Sequence, residues 1–186
     1  HPELSRTIHD HVEHHPAAVA LPREAMAAAV AEGLGTAPFD GPPDARFVPF
    51  MERDLPGLVE EHWIAWDPLL GAWQVQVLRP AGPGPFPSVL YLHGHGDRPQ
   101  DVFDHRFGRL LAEGGFAVVV PRLRAYQDGD GESRASWALL EAGTTLMAAE
   151  VAEVHEVRSW MQARPDLRPE ALYLFGHSGG GVIARL

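Results

Sequence analysis

The 186 residues contain no cysteine. They can therefore form no disulfide, no thiolate metal site and no cysteine nucleophile. Lysine is missing as well: all 15 basic residues are arginine, so neither Schiff-base chemistry nor a Ser–Lys dyad can be built from them. No apolar run approaches the roughly 18 residues that a membrane-crossing helix needs. Positive charge is scarce, and 25 Asp and Glu leave a formal net charge of −10. That balance argues against nucleic acid or an anionic membrane as a partner. No signal-peptide pattern is visible, which favours a cytoplasmic location without fixing the compartment. What remains, 45% hydrophobic and 22% charged residues, fits one soluble domain with a substantial core.

Along the chain, Leu4, Ile8 and Val12 predict a short amphipathic helix over residues 3–15. His11, His14 and His15 have the spacing of a helix face that could hold a metal, but no supporting carboxylates accompany them, so a polar exposed face is expected. A second helix is predicted from Pro22 to Val30, stopping near Gly33. Residues 33–56, rich in Gly, Pro and Asp, suggest a wrapping connector. Apolar periodicity then changes to two. Residues 59–66 are strand-like, 67–71 form a turn, and Trp73, Val75 and Val77 alternate with Gln74 and Gln76, which predicts an antiparallel hairpin. Trp63, Trp66 and Trp73 in it are expected to pack in the core or at an edge rather than to offer a sugar platform.

From Ser88 onward strands and helices alternate. Residues 89–92 predict a buried strand that ends in His93-Gly94-His95-Gly96. Asp101 is placed to cap a helix bearing Val102, Phe103, Phe107, Leu110 and Leu111, which stops at Gly114-Gly115. Residues 116–120 predict the next strand and 122–134 a polar loop. Its Asp128, Asp130 and Glu132 resemble half of a calcium loop but lack the other ligands, so a solvated acidic loop is expected. Met147, Val151, Val154, Val157 and Met161 mark a long helix ending before Pro165, and Leu172 to Phe175 predict a buried strand. This βαβαβ order implies parallel strands with right-handed crossovers.

The stretch that carries chemistry is Gly176-His177-Ser178-Gly179-Gly180, a G-x-S-x-G between that strand and the helical pattern of Val182, Ile183 and Leu186. A strand–turn–helix of this kind can lift a serine out at the top of a sheet, where tight flanks require glycine. Acyl transfer by serine needs a base, an acid to orient it, and two donors aimed at the oxyanion. The expected donors are the N–H groups of Gly179, next to the nucleophile, and of His95 in the glycine-rich loop. His93, His155 and His177 are expected to play structural parts. Tyr126 and Trp137, in the loop before the long helix, are the candidates for lining the substrate pocket.

The motifs YLHGHGD, AEGGFAVVVPRLRAY and VAEVHEVRSWMQARPDLRPEALYLFGHSGGG resemble the α/β-hydrolases, and among them the dienelactone-hydrolase and acetyl-xylan-esterase-like subgroup. The resemblance covers residues 59–186. It implies an α/β fold with a mostly parallel sheet, an N-terminal antiparallel hairpin and an incomplete C-terminal side. It also implies a serine hydrolase of carboxylic esters with Ser178 as nucleophile and the His95 and Gly179 amides as oxyanion hole; a small-molecule ester is the expected substrate, and no metal or cofactor is expected. Arg122 departs from the pattern, since relatives often carry Asp there. In the family the acid and then the histidine follow the serine, yet residues 179–186 hold no Asp, Glu or His. The chain is therefore expected to be the N-terminal part of a longer hydrolase, completed by its own C-terminal part or by a complementing chain. Residues 1–58 are expected as a helical and wrapping segment and 59–186 as the N-terminal part of the core. A peptidase of the same fold and a non-catalytic or complementing subunit are the alternatives.

Overall fold

The computed structural model describes residues Ala28, 32–35, Phe39, 43–124 and 131–186. The predicted helix over 3–15, its histidines, Tyr126, Asp128 and Asp130 lie outside these residues, as does most of the predicted second helix.

Strands β1 (Arg46–Leu55), β2 (Leu58–Asp67), β3 (Gly71–Pro80), β4 (Phe86–Leu92), β5 (Ala117–Pro121) and β6 (Leu167–Gly176) form one sheet in the order β1-β2-β3-β5-β4-β6. The first three strands and the β3–β5 pair are antiparallel, while β4 runs parallel to β5 and β6. The β2–β3 hairpin closes at Asp67, whose Oδ1 accepts from the N–H groups of Leu69 (2.7 Å) and Leu70 (2.8 Å). Helices α1 (Pro99–His105), α2 (Gly108–Glu113), α3 (Gly131–Glu141), α4 (Leu146–Ala163) and α5 (Gly179–Ile183) complete the described part.

Strand β4 explains why its sequence is a continuous apolar run. Val89 and Tyr91 pack with Val102, Phe103 and Ala112 on one face, and Leu90 and Leu92 pack with Val154, Val157 and Met161 on the other. Helices thus cover both faces, as parallel strands require. Thr145 caps α4 by accepting from the Ala148 N–H at 3.1 Å. Among the described residues no helix is long and apolar enough to cross a membrane.

Several expectations are corrected. Residues 46–55 are not connector but a strand that pairs with β2, so the antiparallel part is three-stranded; β1 has one neighbour and a bulge near Pro49, and needs few apolar residues. Asp101 is not the cap of α1: Arg98 is, and Asp101 sits in the first turn accepting from the Arg98 N–H at 2.7 Å. The helix expected to run on to Leu111 breaks at Arg106, leaving Phe107 and Leu110 exposed. Residues 131–134 belong to α3 rather than to a loop, and Trp137 lies on that helix. Finally, Tyr173, Leu174 and Phe175 of β6 are not buried but 57%, 47% and 41% exposed, because β6 is the edge of the described sheet.

Two of the charged clusters among the described residues are centred on the buried carboxylates Glu61 and Glu153. Glu61 is bound by Arg164 at 2.9 and 3.2 Å, by the Trp63 indole at 2.8 Å and by Arg79. Arg164 also binds Asp166 at 2.6 Å and lies over the rings of Trp63 and Trp160. Burial acts to raise the Glu61 pKa, but the bonds and charge of Arg164, and then Arg79, outweigh it and hold the carboxyl below its usual range.

The second cluster is Glu153 on α4. Burial pushes its pKa up to about 7, against the opposing pull of Arg124, which binds it and also donates to the Leu70 carbonyl. A carboxyl with a pKa higher in the folded state makes folding take up a proton between its ordinary range and about 7, so stability falls as pH rises through that window. Glu153→Gln is therefore expected to flatten the decline of the thermal midpoint between about pH 5 and pH 8. Circular-dichroism melts of both proteins check this, and equal slopes would refute it.

Candidate functional site

β4 and β6 are paired in parallel with Leu92 opposite Gly176, so the loops leaving their carboxyl ends start at one level. The strand after β4 lies on one side of it and β6 on the other. Such a reversal of strand order opens the crevice in which α/β sheets bind ligands.

After β6 the chain turns at Ser178, which has φ 51° and ψ −119°. Among the described residues it is the one non-glycine with positive φ. A conformation of that kind costs about 1–3 kcal/mol and persists only where its surroundings enforce it. Here the surroundings are close backbone contacts. A Cβ on Gly176 would stand 2.4 Å from the Gly180 carbonyl oxygen, and one on Gly180 would stand 2.3 Å from that of Leu92. The two glycines therefore let α5 sit directly against the ends of β4 and β6. The His177 N–H donates to the Leu92 carbonyl at 3.0 Å and the Gly180 N–H to that of His177 at 3.0 Å. Gly179 begins α5, where a backbone N–H has no acceptor within the helix.

The neighbouring loop is fixed from below by His93, which is fully buried. Its Nε2 accepts from the Leu123 N–H at 3.0 Å, which assigns the proton to Nδ1, 2.9 Å from the Gly94 carbonyl. Burial lowers its pKa, with the Gly94 bond opposing, and a neutral ring suits both bonds. The Asp97 N–H closes a turn onto the Gly94 carbonyl at 3.1 Å, and Gly96 takes φ 82° within it. A left-handed residue at the third position of a turn is the place where glycine is preferred. Asp97 is held by Arg106 at 3.1 Å and lies 3.6 Å from His177 Nδ1. Gly94 lies against the His177 ring, where a Cβ would meet Nδ1 at 2.8 Å.

Of the residues expected at the site, Ser178 and Gly179 lie on one of these two touching loops and His95 on the other. Trp137 is on α3 and 68% exposed, and His155 is exposed on α4. Tyr126 is outside the described residues. The sequence reading missed two partners: Glu132, whose Oε2 lies 2.5 Å from His95 Nε2, and Asp97 beside His177. Neither has a local signal, because each is far in sequence from the histidine it meets.

No family model and no curated protein matches the sequence. Solved structures do. A protein assigned as an acetyl xylan esterase from Bacteroides fragilis superposes with a TM-score of 0.70 at 17% identity, over 83% of this chain and 47% of its own. Acetyl xylan esterase from Paenibacillus sp. R4 gives 0.57 at 16% identity, over 83% and 51%. A glucuronoyl esterase from Solibacter usitatus gives 0.55 at 13% identity, over 77% and 48%. The chain thus spans about half the length of these structural neighbours, which are carboxylic ester hydrolases. Identities this low carry the fold, and with the strand order above they give the described part of this chain the α/β-hydrolase fold.

Proposed function

We propose that the chain carries the nucleophile of a serine hydrolase acting on small carboxylic esters. The observation that carries the reading is the backbone of Ser178, the sole positive-φ non-glycine among the described residues, placed between a strand end and a helix start. Strain of this sort collects at functional sites. In the proposed reaction Ser178 Oγ attacks the ester carbonyl, the N–H groups of Gly179 and His95 stabilise the oxyanion, and the alcohol leaves. Water then hydrolyses the acyl-enzyme and regenerates the serine. The acid and base are assigned to polypeptide outside these residues, either the same protein's C-terminal part or a complementing chain. The apolar edge strand β6, exposed at Tyr173, Leu174 and Phe175, supports that assignment as the side on which further sheet would pair.

The test is intact-mass and peptide mapping of the full protein after treatment with a fluorophosphonate. One adduct, on Ser178, is expected. No adduct, or an adduct elsewhere, would overturn the reading.

A further inference from the structure

α3 is held in an uncommon way. None of its residues is buried, and Trp137 and Leu140 on it are 68% and 53% exposed. Helices in proteins owe most of their stability to packing of an apolar face, and α3 has little of it. Its first turn is tied to the loop after β4 by the 2.5 Å contact of Glu132 with His95 Nε2. Both side chains are partly exposed, so the contact serves more to orient the two segments than to add stability.

The same contact matters to the loop. His93 is locked between Leu123 and Gly94, and Asp97 is locked by Arg106. Between these fixed points His95 is the second residue of the Gly94–Asp97 turn, whose Gly94 carbonyl accepts from the Asp97 N–H at 3.1 Å and from His93 Nδ1 at 2.9 Å. These bonds hold the turn through its backbone, and the Glu132 contact holds it through the His95 side chain.

We infer that Glu132 is a positioning residue: by holding the His95 imidazole it steadies the turn that aims the His95 N–H, and by the same bond it seats the first turn of α3 against that loop. The inference rests on the proposed roles of Ser178 and His95 and deepens them. It makes α3 a part of the oxyanion machinery rather than a detached surface helix.

The experiment compares wild type, Glu132→Ala and Glu132→Gln in the full protein by three readouts: kcat and KM on p-nitrophenyl acetate, the rate of Ser178 labelling by a fluorophosphonate, and hydrogen exchange. Losing an oxyanion donor outright costs roughly 100- to 1,000-fold in kcat. A donor that is only misdirected should cost less. Glu132→Ala is expected to lower kcat and the labelling rate about tenfold with KM within about twofold, a pattern of lost transition-state stabilisation. Exchange should rise in residues 93–97 and 131–141 and stay unchanged in β3–β5, which controls for misfolding. Glu132→Gln, which keeps an acceptor oxygen, should recover most of the rate. Unchanged kcat and labelling would overturn the inference, even if α3 alone exchanged faster. If wild type gives no Ser178 adduct, the reading of Ser178 fails instead. Exchange then decides the clasp: unchanged exchange in residues 93–97 overturns it, and faster exchange in both segments supports it.

Discussion

Ser178→Ala is expected to remove ester hydrolysis by the full protein, with kcat falling by up to roughly a million-fold where a complete triad operates. The argument is chemical. Alanine keeps the Cβ and the backbone but has no oxygen to acylate, so only the oxyanion donors and binding remain. Stability should stay within about 0.5 kcal/mol of wild type, since the same turn is strained in both. Ser178→Gly separates chemistry from strain. It too should be inactive, but glycine tolerates φ 51°, which releases about 1–3 kcal/mol of strain. Against that stands about 0.5–1 kcal/mol of extra chain entropy lost on folding, leaving a net gain of about 1 kcal/mol. Activity assays and urea titrations of the two variants check both statements. Activity retained in Ser178→Ala would remove Ser178 from the mechanism. A Ser178→Gly protein less stable than Ser178→Ala would remove the strain argument while leaving the chemistry intact.

What could be read in advance follows from how local each signal is. The β2–β3 hairpin was legible because Trp73, Val75 and Val77 face the core while Gln74 and Gln76 between them do not, and the structure places these three in one cluster. The Ser178 turn was legible because the residues that shape it, Gly176 and Gly180, are two positions away on either side. β1 was hidden: Pro49 and the charged run Glu52-Arg53-Asp54 look like connector, and an edge strand tolerates both. α3 was hidden because none of its residues is fully buried and its apolar face is little more than Leu139 packed against the core. The apolar run of β6 predicts burial, but burial depends on what lies beside the strand and not on the strand itself. Contacts such as His95 with Glu132, 37 residues apart, leave no mark in spacing or composition.

Arg164→Ala should be the most damaging change to the folded structure. Glu61 is 3% exposed, and removing one partner of a buried ion pair typically costs about 3–5 kcal/mol because the other charge stays buried. Arg79 and the Trp63 indole still reach Glu61, which places the expected loss near the lower end, about 3 kcal/mol. The pH dependence has a definite sign. Burial acts to raise the pKa values of Glu61 and Asp166, yet Arg164 outweighs it in both and holds them below the usual carboxylate range. A lowered folded-state pKa contributes stability that is present above the unfolded value and lost as pH falls through the folded one. The gap between wild type and Arg164→Ala should therefore be widest near neutrality and close below about pH 4. Urea titrations across that range measure it, and a loss under about 1 kcal/mol at pH 7 would refute the assignment. The consequence reaches the site through β6. The Phe86 N–H donates to the Asp166 carbonyl at 2.8 Å, and the Leu167 N–H to that of Arg164 at 3.3 Å. Arg164 thus anchors the point where β6 enters beside β4, one register shift before the ladder of Ser88–Leu92 with Leu172–Gly176 that puts Gly176 opposite Leu92. Loosening that entry should fray β6 from its start and lower the folded fraction, so activity in the full protein should fall together with stability rather than independently of it.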